Sequence, residues 1–278
     1  MKIYKKIRDI QALLNKSSQS VGFVPTMGAL HAGHLKLVQE SRQHCNITVV
    51  SIFVNPTQFN DPKDLEKYPR TIESDITELT AVGCDLLFLP EVEEMYPETE
   101  AANHYDLGQL ERVFEGAFRP GHFQGVCQVV DKLFRIIQPT DVFFGQKDYQ
   151  QCMVVKKLIK LTPDFHNITM HIIPTMREES GLAMSSRNMR LTGPEKEKAA
   201  TIYQTLLFIK KHIAVGEQQS LMSKASQKLI QNGFTVDYIA LADADNLQPV
   251  TEWDGHQPLV AVAAAFLSNV RLIDNMVL

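Results

Sequence analysis

The sequence predicts an α/β fold: a mostly parallel, Rossmann-like sheet with helices on both faces, followed by a smaller C-terminal α+β domain. Three observations carry this. Dense apolar, β-branched runs at 21–25, 47–54, 85–89, 141–144 and 168–173 suit parallel strands buried on both faces. Segments with helical apolar spacing lie between several of them, which is the βαβ pattern. The alternation then stops near Pro174, where two helical stretches are followed by two β-rich segments.

The elements follow in order. The strand at 21–25 leads through a Gly- and His-containing loop into a helix over 35–45. After the strand at 47–54, a helix spans 71–83, with Gly83 as its stop. The strand at 85–89 comes next, and a helix over 126–137 ends before Pro139. The strand at 141–144, a helix at 149–161 and the strand at 168–173 complete the first unit. Helices at 195–215 and 221–233 and β segments at 235–241 and 259–267 form the second. The polar stretch 175–193 is expected to be a mobile connection. The expected division is therefore residues 1–174, carrying the sites, and 175–278, closing over them.

Composition narrows the function classes. The chain has 278 residues, 28 Lys plus Arg and 32 Asp plus Glu, a formal net charge of −4. A polyanion binder is usually clearly basic, so no nucleic-acid partner is expected. Apolar residues make up 44%, which argues against disorder. The longest apolar run, 259–267, is far short of the ~20 residues a membrane helix needs, so no membrane partner is expected. The basic N-terminus is interrupted by Asp9, Gln11 and Asn15 rather than followed by a signal core, and a cytoplasmic location is expected. Cys45, Cys84, Cys127 and Cys152 are scattered and read as buried free thiols.

The chemistry concentrates in loops after strands, where open α/β sheets bind ligands. P-T-M-G-A-L-H-A-G-H at 25–34 joins the first strong strand to a helix. Gly28 and Gly33 permit close backbone approach to phosphate, and the helix start favours an anion. His31 and His34 are three apart and can share one side of the first turn. A P-loop is rejected, because His34 and Leu35 stand where Lys and Ser/Thr are needed. Zinc is disfavoured for want of a third ligand nearby. An ordinary loop remains the plain alternative.

F-V-N-P-T-Q-F at 53–59 follows the next strand. Its Gln58 offers donor and acceptor to a hydroxy acid, although the segment also reads as a simple turn. F-G-Q-K-D-Y-Q-Q at 144–151 opens a helix. Gly145 allows close approach, Lys147 suits a triphosphate, Asp148 suits ribose hydroxyls or a cap, and Gln151 lies one turn on. M-S-S-R-N at 184–188 brings two hydroxyls and a guanidinium that can grip phosphate, or forms a solvated loop. A second G-x-x-x-x-G-H, at 116–122, holds Arg119 and has no strong strand leading into it. Asp75 is a candidate Mg²⁺ ligand beside ATP, against the default of an exposed helix acid.

An H-x-G-H after a strand resembles the nucleotidyltransferase signature, and 184–188 resembles its KMSKS-like companion. Together with Tyr68-Pro69-Arg70-Thr71 and Arg119-Pro120-Gly121-His122-Phe123, the ordered motifs resemble the pantoate–β-alanine ligase family over nearly the whole chain. The resemblance implies ATP-dependent joining of (R)-pantoate to β-alanine through a pantoyl adenylate, with Mg²⁺ and no tightly bound organic cofactor, in a homodimer. It implies an ATP site of Met27, Gly28, His31, Gly33, His34, Gly145, Lys147, Asp148, Met176, Met184, Ser185, Ser186 and Arg187. Of these, His31, His34, Lys147, Ser186 and Arg187 would act in catalysis, and His34 has the family's proton-donor role. Asn55, Gln58, Arg119 and Gln151 would face pantoate and β-alanine. Residue 146, commonly Glu in the family, is Gln here. The rival readings are a nucleotidyltransferase acting on a phosphorylated substrate and a catalytically silent nucleotide sensor.

Overall fold

The computed structural model describes residues 1–16, 18–60, 62–97 and 103–278. The first unit is built on six strands: β1 (Lys2–Tyr4), β2 (Val21–Thr26), β3 (Ile47–Ile52), β4 (Leu86–Phe88), β5 (Asp141–Gly145) and β6 (Thr169–Ile173). They lie in the order β1-β4-β3-β2-β5-β6, and every pairing is parallel. Side chains alternate between the two faces, as the strand period requires. Phe23, Val49, Phe88, Val142 and Phe144 enter one core, while Val24, Val50, Leu87 and Phe143 enter the other. That double burial explains why the runs are apolar throughout rather than alternating.

The helices of this unit are α1 (Ile7–Leu14), α2 (Ala32–His44), α3 (Pro62–Glu66), α4 (Ile72–Ala81), α5 (Val92–Met95), α6 (Phe114–Phe118), α7 (His122–Ile137) and α8 (Tyr149–Leu161). Leu37, Val38 and Leu79 place α2 and α4 on one face of the sheet. Ile10, Val126, Leu133, Val154 and Leu158 place α1, α7 and α8 on the other. The chain moves outward from β2 in both directions, so the crevice lies between β2 and β5, where strand order reverses.

The C-terminal part contains α9 (Gly193–Ala199), α10 (Thr201–His212), β7 (Gly216–Glu217), α11 (Gln219–Gln231), β8 (Phe234–Asp243), β9 (Glu252–Trp253), β10 (Leu259–Leu267) and β11 (Val270–Val277). β11, β10 and β8 form an antiparallel sheet, and β7 pairs with β9. The long apolar run is its middle strand. Ala261, Ala263 and Ala265 face α10 and α11, whereas Val260 and Val262 join the core of the first unit. Both faces of β10 are thus buried, and its small residues let the helices approach closely.

Several expectations are corrected. The helix expected over 195–215 is two, α9 and α10, with Ala200 between them. α9 opens on a capping box, Thr192 with Glu195. α2 and α7 begin earlier than their apolar spacing suggests. The strands β1 and β11 and the helix α1 were not expected. Cys84, Cys127 and Cys152 are buried free thiols, while Cys45 is only partly covered.

The stretch 175–193 is structured rather than loose. Arg177 and Ala183 form a β-bridge, and the Met184 N–H donates to Met176 O at 3.0 Å. Arg177 also makes a two-pronged ion pair with Asp274 of β11, at 2.6 and 3.0 Å.

Candidate active site

The loop after β2 is shaped by two left-handed residues, Gly28 at φ 81° and Ala29 at φ 50°. A non-glycine residue holds that conformation only when its surroundings impose it. Here Asp75, at the start of α4, imposes it. Its carboxylate accepts the N–H groups of Ala29 (3.0 Å) and Leu30 (2.9 Å), and the Thr71 hydroxyl donates to it at 3.1 Å. The Ser186 hydroxyl donates to Ala29 O at 3.0 Å from the far side of the cleft. The loop is therefore clamped from two separate segments.

His31 is the N-cap of α2, and its Nδ1 accepts the Gly33 N–H at 3.2 Å, which puts its proton on Nε2. The rings of His31 and His34 are 4.1 Å apart. Burial, then the charge of Lys147, pulls His31 down to about 4. Burial, then His31 and Lys147, holds His34 well below the usual imidazole value. Both rings are neutral near pH 7 and can donate N–H bonds without bringing a charge. Nδ1 of His34 is buried and has no hydrogen-bond partner among the described residues. A buried polar atom of this kind at a cleft wall is what a ligand contact accounts for.

Across the crevice, Gln146, Lys147 and Asp148 make a 3₁₀ turn between β5 and α8. Lys147 Nζ lies 3.8 Å from Asp148. The turn is pinned by Asn275 of β11, whose side-chain amide donates to Gln146 O at 2.9 Å and Lys147 O at 2.8 Å. Ser185 caps the next turn by accepting the Arg187 N–H at 3.3 Å.

On the other side of the histidines, Gln58 is buried beneath the loop that follows β3. Its amide donates to Met27 Sδ at 3.0 Å, and its Oε1 accepts from Asn55 at 3.2 Å. His122, at the start of α7, donates from Nδ1 to Gln58 O at 2.7 Å. Arg119 Nη1 lies 3.3 Å from His122 Nε2, which is left as the acceptor. Burial, then the Arg119 charge, brings His122 down to about 4, so it stays neutral. Arg119 is also 3.9 Å from Glu115, which Arg271 grips at 2.7 and 2.8 Å and to which the Tyr238 hydroxyl donates at 2.9 Å.

One cleft brings most of the expected residues together. Met27, His31, Gly33 and His34 line it from the β2 loop, and Asn55 and Gln58 from the β3 loop. Arg119, Gly145, Lys147, Asp148 and Gln151 line it from the middle of the chain, and Met176, Met184, Ser185, Ser186 and Arg187 from the connection. Two expected residues are not in its wall. Gly28 turns the loop behind it. Asp75 is 2% exposed, neither an exposed acid nor available to Mg²⁺, because both carboxylate oxygens are engaged by the loop. No group of three or more His, Cys, Asp or Glu among the described residues is arranged to hold a metal. The described residues thus offer no ready-made cage for a resident Mg²⁺.

Asn55 is corrected in part. It lines the cleft, but its amide serves Gln58 and Gly125 O (3.1 Å), and its oxygen accepts from Thr57 and Tyr96. Its work is to hold Gln58. Sequence reasoning missed the roles of His122, Asn275 and the Glu115–Arg271 pair. The Glu115–Arg271 pair spans 156 residues of sequence and leaves no local signal. For Asp75, the signal was Thr71 one helical turn earlier.

A parallel sheet whose switch point carries neutral imidazoles opposite a lysine defines a class, the nucleotide-using α/β enzymes. The comparisons go further. A family model described as pantoate-beta-alanine ligase matches residues 2–277. A pantothenate synthetase of Bacteroides thetaiotaomicron is 43% identical, over 99% of this chain and 98% of that protein. One from Cytophaga hutchinsonii is 45% identical, over 95% of this chain and 93% of that protein. A crystal structure of the Thermus thermophilus enzyme superposes with a TM-score of 0.91 at 40% identity, covering 99% of each chain. The Francisella tularensis pantoate-beta-alanine ligase, described as complexed with beta-gamma ATP and beta-alanine, gives 0.82 at 35% identity, covering 100% of this chain and 97% of that one. The chain belongs to the pantoate–β-alanine ligase family.

Proposed function

We propose that this cleft condenses (R)-pantoate with β-alanine, cleaving ATP to AMP and pyrophosphate through a pantoyl adenylate. The observation that carries the reading is the continuity of one cleft from His31, His34 and Lys147 to Gln58, Gln151 and Arg119. A polyphosphate and a small hydroxy acid can therefore lie end to end in it. In the first step the pantoate carboxylate attacks the α-phosphate of ATP and pyrophosphate leaves. No protein nucleophile is required, so positioning and charge stabilisation carry the rate. His31, His34, Lys147 and Arg187 face the phosphates, and Gln58 and Gln151 hold pantoate. In the second step the unprotonated amine of β-alanine attacks the acyl carbon, AMP leaves, and one of the amine's two protons passes to solvent while the other stays on the amide nitrogen. Mg²⁺ arrives on the ATP phosphates as part of the substrate.

Residues 1–174 carry most of the substrate contacts, and residues 175–278 supply the rest of the wall through Met176 and 184–187. We further propose a homodimer located in the cytoplasm. Among the described residues no helix is long and apolar enough to cross a membrane, which agrees with that location.

The test is product formation. AMP release should require pantoate and β-alanine together and should match pantothenate formed mole for mole. Transfer of AMP to a phosphorylated acceptor, or ATP binding with no turnover, would replace this reading with a rival one.

A further inference from the structure

The last strand braces the ATP side of the cleft from behind. Asp274 and Asn275 are adjacent on β11 and are 5% and 3% exposed. Neighbouring strand residues point to opposite faces. Each therefore reaches a different wall of the cleft, although both stand on the C-terminal sheet.

Asn275 sends its side-chain amide to Gln146 O and Lys147 O, at 2.9 and 2.8 Å. Both amide hydrogens are thus spent on the turn that carries Lys147. Its Oδ1 accepts from the Gln146 side chain at 3.4 Å. Asp274 holds Arg177 with two ion-pair contacts of 2.6 and 3.0 Å. Arg177 Nη1 also donates to Gly181 O at 3.1 Å, and its guanidinium lies 3.9 Å from the Tyr203 ring centroid. This fixes the short hairpin between Met176 and Met184, which leads directly into Ser185, Ser186 and Arg187. A two-pronged Arg–carboxylate pair fixes direction as well as distance. The Asn275 N–H donates to Asp274 Oδ1 at 2.8 Å, so the two anchors are joined to each other.

We propose that Asp274 and Asn275 are positioning residues for ATP: as one clamp they set the spacing between the Lys147 turn and the 184–187 segment. This rests on the reading of these two segments as the ATP walls. It makes the C-terminal sheet a builder of the nucleotide site rather than only a cover. It also explains the two-donor choice at 275. Aspartate has nearly the same shape but cannot donate to two carbonyls.

The test uses the full chain, with Asn275→Asp, Asn275→Ala and Asp274→Asn beside the wild type. The first readout is direct titration with a non-hydrolysable ATP analogue. The second is the KM for each of the three substrates, and the third is the melting temperature. Analogue affinity should fall about tenfold in both Asn275 variants and in Asp274→Asn, because each strands buried partners. The KM values for pantoate and β-alanine should stay within about twofold, since the clamp's side-chain bonds go to Gln146, Lys147 and Arg177 rather than to Gln58, Gln151 or Arg119. Analogue affinity unchanged in all three folded variants overturns the proposal. So does a parallel rise in all three KM values, which would mark a general structural role. A wild type that binds the analogue but makes no pantothenate would instead overturn the ligase reading, and the clamp is then judged on affinity alone.

Discussion

Two loops of this chain share the pattern G-x-x-x-x-G-H, at 28–34 and 116–122. Each leads into a helix, α2 or α7, and each ends in a histidine whose pKa is pulled down chiefly by burial. Their surroundings differ. The first loop follows β2 at the crevice, and its His34 keeps an Nδ1 with no partner among the described residues. The second begins within the short helix α6, and His122 has both ring nitrogens engaged, by Gln58 O and Arg119. A histidine with an unspent nitrogen at a strand's carboxyl end is suited to meet a ligand. One with both nitrogens spent is suited to hold its neighbours. The same local pattern thus yields a contact residue and a strut.

That contrast can be broken by substitution. His34→Ala should cut pantoate-dependent ATP cleavage in single turnover by about a hundredfold or more, the scale of losing a transition-state donor. A rate within a factor of about two would remove His34 from the chemistry. Gln58→Ala should raise the pantoate KM about tenfold while leaving the ATP KM nearly unchanged, because a buried donor to one substrate is lost. Equal changes in both would show that the loop had collapsed.

The glycines sharpen the comparison. Gly28 and Gly121 have nearly the same φ, 81° and 80°. A Cβ on Gly28 would stand 3.0 Å from both Asp75 Oδ2 and Ile52 Cγ2, whereas one on Gly121 meets nothing within 4 Å. Both Ala variants bear the left-handed cost of about 1–2 kcal/mol, and Gly28→Ala should lose more than that. Denaturant unfolding measures the order, and an equal loss would show that contact with Asp75 is unimportant.

The smallest expected effect is on pH. Unfolded His122 takes up a proton below 6.5, while the folded group resists until about 4. Between those values the unfolded state binds more protons, so stability falls as pH drops from 6.5 towards 4. His31, also lowered to about 4, acts in the same direction. His122→Asn should make the melting temperature less steep across that window, and an unchanged slope would contradict the buried neutral ring.

Much of this was legible in the sequence because it is local. The strands of the first sheet announce themselves through double burial, and the loops after β2, β3 and β5 carry their glycines, prolines and cations next to one another. What escaped was long-range. β1 has only three residues, and the apolar residues of β11 are interrupted by Arg271, Asp274 and Asn275, so neither forms a dense run. Asp75 sits 46 residues from Ala29, and Asn275 lies 128 from Lys147. Such pairs leave no spacing to read, only an unexplained buried carboxylate or amide after the chain has folded. The anchored hairpin within 175–193 escaped for the same reason, because its partner Asp274 lies 97 residues from Arg177.

The central claim is that the cleft activates pantoate as an adenylate before β-alanine reacts. Positional isotope exchange tests it directly, by following oxygen scrambling between the bridging and non-bridging positions of labelled ATP. The account predicts scrambling with pantoate alone, at a rate that does not require β-alanine. Scrambling only when both acids are present would contradict it.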